Sequence, residues 1–214
     1  MNNDSCIQTT SIKDRICLAL DIANQQEILE VVDELKDLVG YFKLNSAFTL
    51  FGPNLVQQII AKGSKVFLDL KLHDIPNTLS GYGDAVTKLG VHIVTVHVSG
   101  GIEMMKSLVN AADKTAQQLS ISRPKFIGIT LLTSISKDIL NSEMNVQGSI
   151  QEEVLRKALL AYNAGLDGIV SSAEELPQIK PELPKDFIYV TPGVRAEEAG
   201  FDDHKRVATY KNAM

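Results

Sequence analysis

Apolar and polar residues alternate along the chain in two periods, one typical of buried strands and one typical of amphipathic helices. A strand-like stretch is a short continuous apolar run such as RICLALD at Arg15–Asp21, which predicts a strand buried on both faces. In the stretch that follows, apolar residues recur at helical spacing from Ile28 to Leu38. Seven strand-like runs are visible: Arg15–Asp21, Tyr41–Asn45, Lys65–Lys71, Ile93–Val98, Phe126–Leu132, Gly168–Ser171 and Phe187–Thr191.

Helical patterns separate these runs. They cover Ile28 to Leu38, Asn54–Lys62, Pro76 to about Leu89, Glu103–Leu119, Glu152–Tyr162 and a short stretch near Glu174–Leu176. Repeated β-then-α order predicts an α/β fold with a parallel sheet and right-handed crossovers. Seven repeats exceed what most open sheets of this length carry, so a TIM-type (β/α) barrel is expected over residues 1–214 as a single domain. Such a barrel has eight strands, and no eighth strand is visible after Thr191. The eighth βα unit is therefore expected to be missing and the barrel incomplete at its C-terminus.

The composition is that of an ordinary globular domain, with 214 residues, 44% hydrophobic and 22% charged. The net charge of −5 and the lack of a Lys/Arg cluster argue against a nucleic-acid partner. A phosphorylated small molecule is compatible with this charge, because the local charge of a site decides its binding. No apolar run approaches the ~18 residues that span a bilayer, so no membrane partner is expected. The polar stretch from Met1 to Asp14 lacks the apolar core of a signal peptide, which predicts a cytoplasmic location.

Two cysteines are too few for a disulfide framework. Cys17 lies in the first strand-like run and is expected to be a buried free thiol. A reducing cytoplasm agrees with this usage.

Polar residues collect where the predicted strands end, which is where the chemistry of a (β/α) barrel takes place. They are Asp21, Lys43, Asp69, Lys71, Asp74, His97, Thr133 and Arg195. Most of them also have a purely structural interpretation. An Asp after a strand often caps a helix or a turn, His97 is compatible with a hydrogen-bonded core histidine, and Arg195 with a surface charge.

The third strand is the most informative segment. Asp69 and Lys71 are two residues apart and are predicted to share one face of a strand whose other residues are apolar. Charges inside such a run are costly unless they are paired. One interpretation is a structural ion pair. The other is an alternating array of ammonium and carboxylate groups, with Lys43 contributed by the neighbouring strand, that keeps each group charged and fixed.

The segment DLKLHDIPNT at 69–78 resembles the signature of the orotidine 5'-phosphate decarboxylase family. Further matches in the same order are LALD at 18–21, FKLN at 42–45, VHVSGG at 96–101, LLTS at 131–134 and TPGVR at 191–195. The resemblance implies a barrel of the ribulose-phosphate-binding kind. It also implies decarboxylation of orotidine 5'-monophosphate to UMP and CO2, the last step of de novo pyrimidine nucleotide synthesis, without metal or cofactor.

The resemblance also implies roles for the charged residues. Lys43 belongs to the array and, with Asp21, holds ribose hydroxyls. Asp69 lies beside the substrate carboxylate, and Lys71 protonates C6 as CO2 departs. Asp74 enters the site of the neighbouring subunit, so the active unit is expected to be a homodimer with shared active sites.

The remaining substrate-binding residues are implied in the same way. Thr78 accompanies Asp74, His97 lies near the site, Thr133 contacts the pyrimidine and Arg195 contacts the phosphate. His204 stands where the family usually has a Gln that bridges phosphate and pyrimidine. The family also continues to an eighth strand that ends in Gly-Arg, and this chain stops before it.

Two other functions fit the same resemblance. One is a Mg²⁺-dependent sugar-phosphate decarboxylase or aldolase of the same superfamily, which uses the same Asp-x-Lys-x-x-Asp spacing. Those enzymes generally place a Glu ligand on strand two, where this chain has Lys43, whose charge would repel a cation. The other is a truncated barrel remnant without catalysis, which the missing eighth strand favours.

Overall fold

The computed structural model describes residues 11–195 and 208–209. These residues form two compact units, one made of residues 11–69 and 89–92 and the other of residues 70–88, 93–195 and 208–209. The single barrel domain expected over residues 1–214 stays a prediction. In the part of the chain that the structure describes, no helix is both long and apolar enough to cross a membrane.

The first unit contains three parallel strands and two helices. Its elements are a 3-10 turn (Lys13–Arg15), β1 (Cys17–Ala19), α1 (Gln25–Leu35), β2 (Tyr41–Leu44), α2 (Ser46–Ala61) and the first five residues of β3 (Lys65–Leu72). β2 pairs with β1 on one side and with β3 on the other, both in parallel. The last three residues of β3 belong to the second unit.

Local sequence explains where the helices of the first unit begin and bend. The Asn24 side chain accepts the N–H groups of Gln26 and Glu27 at 2.9 and 3.2 Å, which caps α1. In α2, Gly52 has a φ of 62°, a value that suits glycine, and Pro53 follows it. α2 is therefore two short helices joined at a kink. The predicted helix at Asn54–Lys62 is its second part, and the first part was not predicted.

The second unit continues the same β-then-α order. Its elements are α3 (Pro76–Leu89), β4 (Ile93–His97), α4 (Gly101–Leu119), β5 (Lys125–Ile129), α5 (Ile150–Asn163), β6 (Gly168–Val170), α6 (Leu176–Ile179) and β7 (Ile188–Val190). Short turns are a 3-10 turn at Val98–Gly100, a π-helix at Ile139–Glu143 and a 3-10 turn at Lys180–Glu182. The four strands pair in parallel in the order β4-β5-β6-β7. All seven predicted strands are confirmed.

Two very short strands lie near the end of the described chain. β8 (Val194–Arg195) pairs in parallel with β9 (Ala208–Thr209) in a separate two-stranded sheet. After Arg195 the structure describes only residues 208–209. The predicted absence of an eighth βα unit therefore stays a prediction.

The core confirms burial on both faces for the central strands but not for β1. In β3, the consecutive residues Val66, Phe67 and Leu68 are all buried, so both faces of the strand are covered. In β1, however, Cys17 and Ala19 are exposed. The expected burial of the Cys17 thiol is therefore wrong. Among the described residues of its unit, β1 is an edge strand that pairs only with β2, so an apolar run by itself did not determine burial here.

The start of β5 and the start of β6 are joined by one carboxylate. Asp167 accepts hydrogen bonds from Arg123 Nη1 at 2.6 Å, from the Phe126 backbone N–H at 2.9 Å and from Lys125 Nζ at 3.0 Å. Burial alone raises the pKa of the Asp167 carboxyl, but the hydrogen bonds from Arg123, Phe126 and Lys125 outweigh it and hold the pKa below its ordinary value. The charged form of Asp167 therefore stabilises this end of the sheet.

We expect Asp167→Asn to lower the free energy of unfolding by about 3 kcal/mol at neutral pH, because the charged acceptor of three hydrogen bonds is lost. A lowered folded-state pKa contributes stability above the unfolded-state pKa, and this contribution is lost as the pH falls through the folded-state value. Urea unfolding should therefore show the difference between parent and variant at neutral pH and a smaller difference at about pH 3.

Lys125→Met is the matched control for this prediction. The Lys125 side chain is 56% exposed, so loss of its contact with Asp167 should cost less than about 1 kcal/mol. Equal unfolding midpoints for the parent and Asp167→Asn would show that the carboxylate does not join the two strand starts.

Candidate active site

The first charged pair of the site lies on adjacent strands of the first unit. Lys43 in β2 is paired in register with Phe67 in β3, so Asp69 lies one pleat further toward the carboxyl end of β3. Lys43 Nζ lies 3.4 Å from Asp69 Oδ2, and the two side chains are 22% and 12% exposed. The pair is thus largely withdrawn from water. Each charge offsets part of the cost of withdrawing the other from water.

Lys71 has an unusual backbone conformation. Its φ is 48°, in the left-handed region that residues with a side chain rarely adopt. Such a conformation costs on the order of 1–3 kcal/mol, and residues of this kind cluster at functional sites. The predicted common face for Asp69 and Lys71 assumed a regular strand, and at Lys71 the strand is not regular. The side-chain direction of Lys71 therefore does not follow from alternation.

A buried threonine supports the backbone of Lys71. The Lys71 N–H donates to Thr95 Oγ1 at 2.8 Å, and Thr95 is fully buried in β4. A left-handed residue in a strand gives up part of the regular ladder, and this side-chain oxygen provides an acceptor for its N–H. Sequence reasoning missed Thr95. Its signal was present, since it is a polar residue in the otherwise apolar run Ile93–Val96.

The loop between β3 and α3 carries the next two candidates. Asp74 is exposed, and its Oδ1 accepts the N–H of Ile75 at 2.7 Å. The N–H of Thr78, in the first turn of α3, donates to the Ile75 carbonyl at 3.1 Å. Ile75 itself is 64% exposed. Asp74 therefore lies on an outward-facing loop beside an exposed apolar side chain.

Two further candidates lie at the ends of β4 and β5. His97 is the last residue of β4 and is half-buried, with its ring centroid 5.4 Å from that of His73. Thr133 is buried, in the segment that follows β5. Both positions agree with the expectation that polar residues collect at the carboxyl ends of the strands.

The remaining candidates are only partly described. Asp21 is exposed and follows Leu20, whose N–H donates to the Lys43 carbonyl at 2.9 Å, so Asp21 lies at the strand end next to that of Lys43. Arg195 lies in β8, and its side chain is outside the described part of the structure. His204 lies outside the described residues. Among the described residues there is no group of three or more His, Cys, Asp or Glu side chains that would hold a metal ion.

Comparison with known protein families identifies one match that covers nearly all of the chain. The family model described as "Orotidine 5'-phosphate decarboxylase / HUMPS family" matches residues 14–214. This range contains every candidate site residue named above.

Individual relatives agree with this match. The orotidine 5'-phosphate decarboxylase of Syntrophomonas wolfei is 38% identical over 94% of this chain and 85% of its own length. That of Staphylococcus saprophyticus is 40% identical over 92% of this chain and 83% of its own length. Among solved structures, orotidine 5'-phosphate decarboxylase from Lactobacillus acidophilus superposes with a TM-score of 0.77 and 35% identity, covering 84% of this chain and 81% of that one. This likeness confirms the predicted α/β fold of the TIM-barrel type.

The Lys71–Thr95 hydrogen bond generates a prediction about stability. Thr95→Val keeps the shape of the side chain and removes the acceptor, so the Lys71 N–H loses this partner. We expect the free energy of unfolding to fall by about 1–3 kcal/mol, measured by urea denaturation. Thr95→Ser keeps the hydroxyl and should recover most of that loss. If Val and Ser variants were equally stable, the hydroxyl would not support the Lys71 backbone.

Proposed function

Because this chain belongs to the orotidine 5'-phosphate decarboxylase / HUMPS family, we propose that its charged strand ends form the site in which it acts on orotidine 5'-monophosphate. The chain is a carboxy-lyase that releases CO2 from orotidine 5'-monophosphate and leaves UMP, the last step of de novo pyrimidine nucleotide synthesis. The assignment of individual residues to steps is our proposal. The main observation that supports this assignment is the 3.4 Å contact between Lys43 Nζ and Asp69 Oδ2.

The reaction breaks the bond between C6 and the carboxylate carbon. The electron pair of that bond stays on C6 as CO2 leaves, and a proton must then be added there. We assign this proton to the Lys71 ammonium, which becomes a neutral amine and regains a proton from water. A fixed ammonium beside C6 also stabilises the developing negative charge without reorganisation at the moment of reaction.

Asp69 and Lys43 prepare this step. Asp69 lies beside the substrate carboxylate in our proposal, and repulsion between two carboxylates would be relieved as CO2 departs. Lys43 Nζ lies 3.4 Å from Asp69 Oδ2, and in our proposal this contact fixes the position of that carboxylate. Asp69 and Lys71 are two residues apart in β3.

The hydrogen bond from the Lys71 N–H to Thr95 Oγ1 fits the assignment of Lys71 as the proton donor. The strained backbone at Lys71 has a cost, and a buried hydroxyl compensates part of it. A lysine that served only to balance Asp69 would not need a left-handed backbone. We therefore take the strain as support for a functional position of this side chain.

The substrate-binding assignments follow the family pattern. Asp21, with Lys43, would hold the ribose hydroxyls, Thr133 the pyrimidine and Arg195 the phosphate. His97 would border the site, and His204 would take the place of the family's bridging Gln. Binding of the phosphate far from C6 supplies energy that can be used at C6.

We further propose that two copies of the chain share their active sites. Asp74 is exposed beside Ile75, which is 64% exposed, so this loop presents a charge and an apolar group outward. In the proposed homodimer Asp74 and Thr78 would enter the partner's site and complete the array of charges. The cytoplasm, where free nucleotides are made, is the proposed location.

The geometry of the first pair disfavours the Mg²⁺-dependent alternative. A cation bound by Asp69 would have to approach a carboxylate that already has the Lys43 ammonium at 3.4 Å. The two positive charges would repel each other in a site that is largely withdrawn from water. We therefore propose that the reaction uses protein side chains alone.

Lys71→Ala tests the proton donor. We expect decarboxylation to fall by at least 10²–10⁴-fold, roughly the contribution of a general acid, while the fold is kept. The fall in ultraviolet absorbance as orotidine 5'-monophosphate is consumed measures the rate. Lys88→Ala, which removes an exposed lysine paired with Asp84 on α3, is the control and should leave the rate unchanged. A Lys71→Ala rate within a few-fold of the parent would remove Lys71 from the mechanism.

Chelation tests the cofactor assignment. Activity should survive incubation with EDTA, because the proposed site has an ammonium where the relatives that use Mg²⁺ have a carboxylate ligand. EDTA saturated with Mg²⁺ beforehand is the control for effects of the chelator itself. Loss of activity with EDTA and recovery with added Mg²⁺ would favour the metal-dependent alternative instead.

Mixing of inactive variants tests the shared site. Asp74→Ala and Lys71→Ala chains should each be inactive, but a mixed dimer has one site with both residues intact. Random exchange in a two-fold dimer should restore about a quarter of the parental sites. Asp69→Ala mixed with Lys71→Ala is the control, because both residues belong to the same chain's site and no intact site can form. If the mixture of Asp74→Ala and Lys71→Ala chains were no more active than this control, and sedimentation confirmed dimers, each site would be built from one chain.

A further inference from the structure

A lysine that the mechanism does not use is buried in the second unit. Lys157 lies in α5 with its side chain only 5% exposed. Its Nζ donates to Ser99 Oγ and to the Thr130 carbonyl, both at 2.9 Å, and lies 3.6 Å from Glu153 Oε1. One ammonium thus joins three segments that are distant in sequence: α5, the turn after β4 and the residues after β5.

This ammonium is not explained by packing alone. The core positions of α5 include the apolar Val154 and Ala158 as well as Glu153, and an apolar side chain at 157 would fill the same space without desolvating a second charge. Burial lowers the pKa of Lys157, whereas Glu153 favours its charged form. Glu153 is in turn held by two contacts of 2.7 Å from Arg156. The charge is therefore maintained at a cost, which indicates a role other than filling the core.

Both acceptors of Lys157 lie next to candidate substrate-binding residues. Ser99 is two residues beyond His97, and Thr130 is three residues before Thr133. Thr130 makes a second hydrogen bond, because its Oγ1 donates over 2.8 Å to the carbonyl of Val170, the last residue of β6. Two hydrogen bonds therefore fix Thr130, the first residue after β5, and Lys157 donates one of them.

We propose that Lys157 is a positioning residue that sets the ends of β4 and β5 for the base of the nucleotide. The inference rests on the proposed function, since it takes Thr133 as the contact to the pyrimidine. Lys157 does not touch the substrate in this proposal. It acts through the backbone at Thr130 and the hydroxyl of Ser99.

Hydrogen exchange tests the positioning without reference to activity. In Lys157→Met, which keeps the length of the side chain, amide exchange measured by mass spectrometry should rise in residues 98–101 and 130–136. Arg156→Met is the matched control, because it removes a cation that pairs with the same Glu153 and, among the described residues, has no hydrogen bond to either strand end. Equal exchange in the two variants at these segments would overturn the proposal.

Ligand binding tests whether the positioning serves the base. Measured by calorimetry, the Kd of Lys157→Met for UMP should be roughly tenfold or more above that of the parent. Its Kd for ribose 5-phosphate, which lacks the base, should stay within about twofold of the parental value. Val154→Ala, a core truncation in the same helix, controls for general destabilisation and should leave the ratio of the two affinities unchanged. Equal weakening of both ligands in Lys157→Met would overturn the proposal.

Failure of the proposed function and failure of the Lys157 proposal give different results. A parent chain that neither bound UMP nor decarboxylated orotidine 5'-monophosphate would contradict the proposed function, and the exchange experiment would still decide whether Lys157 holds the two strand ends. Should Lys157→Met fail to fold, Ser99→Ala takes its place, since it removes one acceptor and leaves the Thr130 contact. For Ser99→Ala we expect faster amide exchange confined to residues 98–101 and weaker binding of UMP. If both the exchange and the UMP affinity stayed at their parental values, the proposal would be overturned.

Discussion

The contact between the Lys43 ammonium and the Asp69 carboxylate is the interaction on which the proposed site depends. It exists because β2 and β3 run parallel and in a register that brings their carboxyl ends together. The pair is largely withdrawn from water, so removing either charge would take one ionic contact away from the other in a poorly solvated place.

In the second unit the protein uses polar contacts that are costly by themselves. Lys71 has a left-handed backbone, and a buried hydroxyl from Thr95 accepts its N–H. Lys157 is a buried ammonium that joins the ends of β4 and β5. A preorganised electrostatic site needs groups that do not move when charge develops, and such buried contacts provide that rigidity. In the same unit, the half-buried carboxylate of Asp167 stabilises the starts of β5 and β6, at the opposite ends of those strands.

Sequence patterns predicted most of the fold and the type of site. The seven strands were predicted because continuous apolar runs reflect burial on both faces, and β3 and β4 have that burial. The prediction was wrong where burial depends on neighbours: Cys17 is exposed because β1 is an edge strand in its unit. The first half of α2 was missed because Gly52 and Pro53 interrupt the pattern, although the helix resumes after a kink.

Local periodicity and short motifs are enough to predict the order of strands and helices, the family and the polar residues at strand ends. The folded chain was needed to show that Lys43 lies 3.4 Å from Asp69, that Lys71 has a left-handed backbone and that Thr95 accepts its N–H. It also revealed Lys157, which in the sequence looks like one more lysine of an amphipathic helix. The reason is physical: distances between strands, and the solvent that a side chain meets, are set by register and packing between segments far apart in the chain.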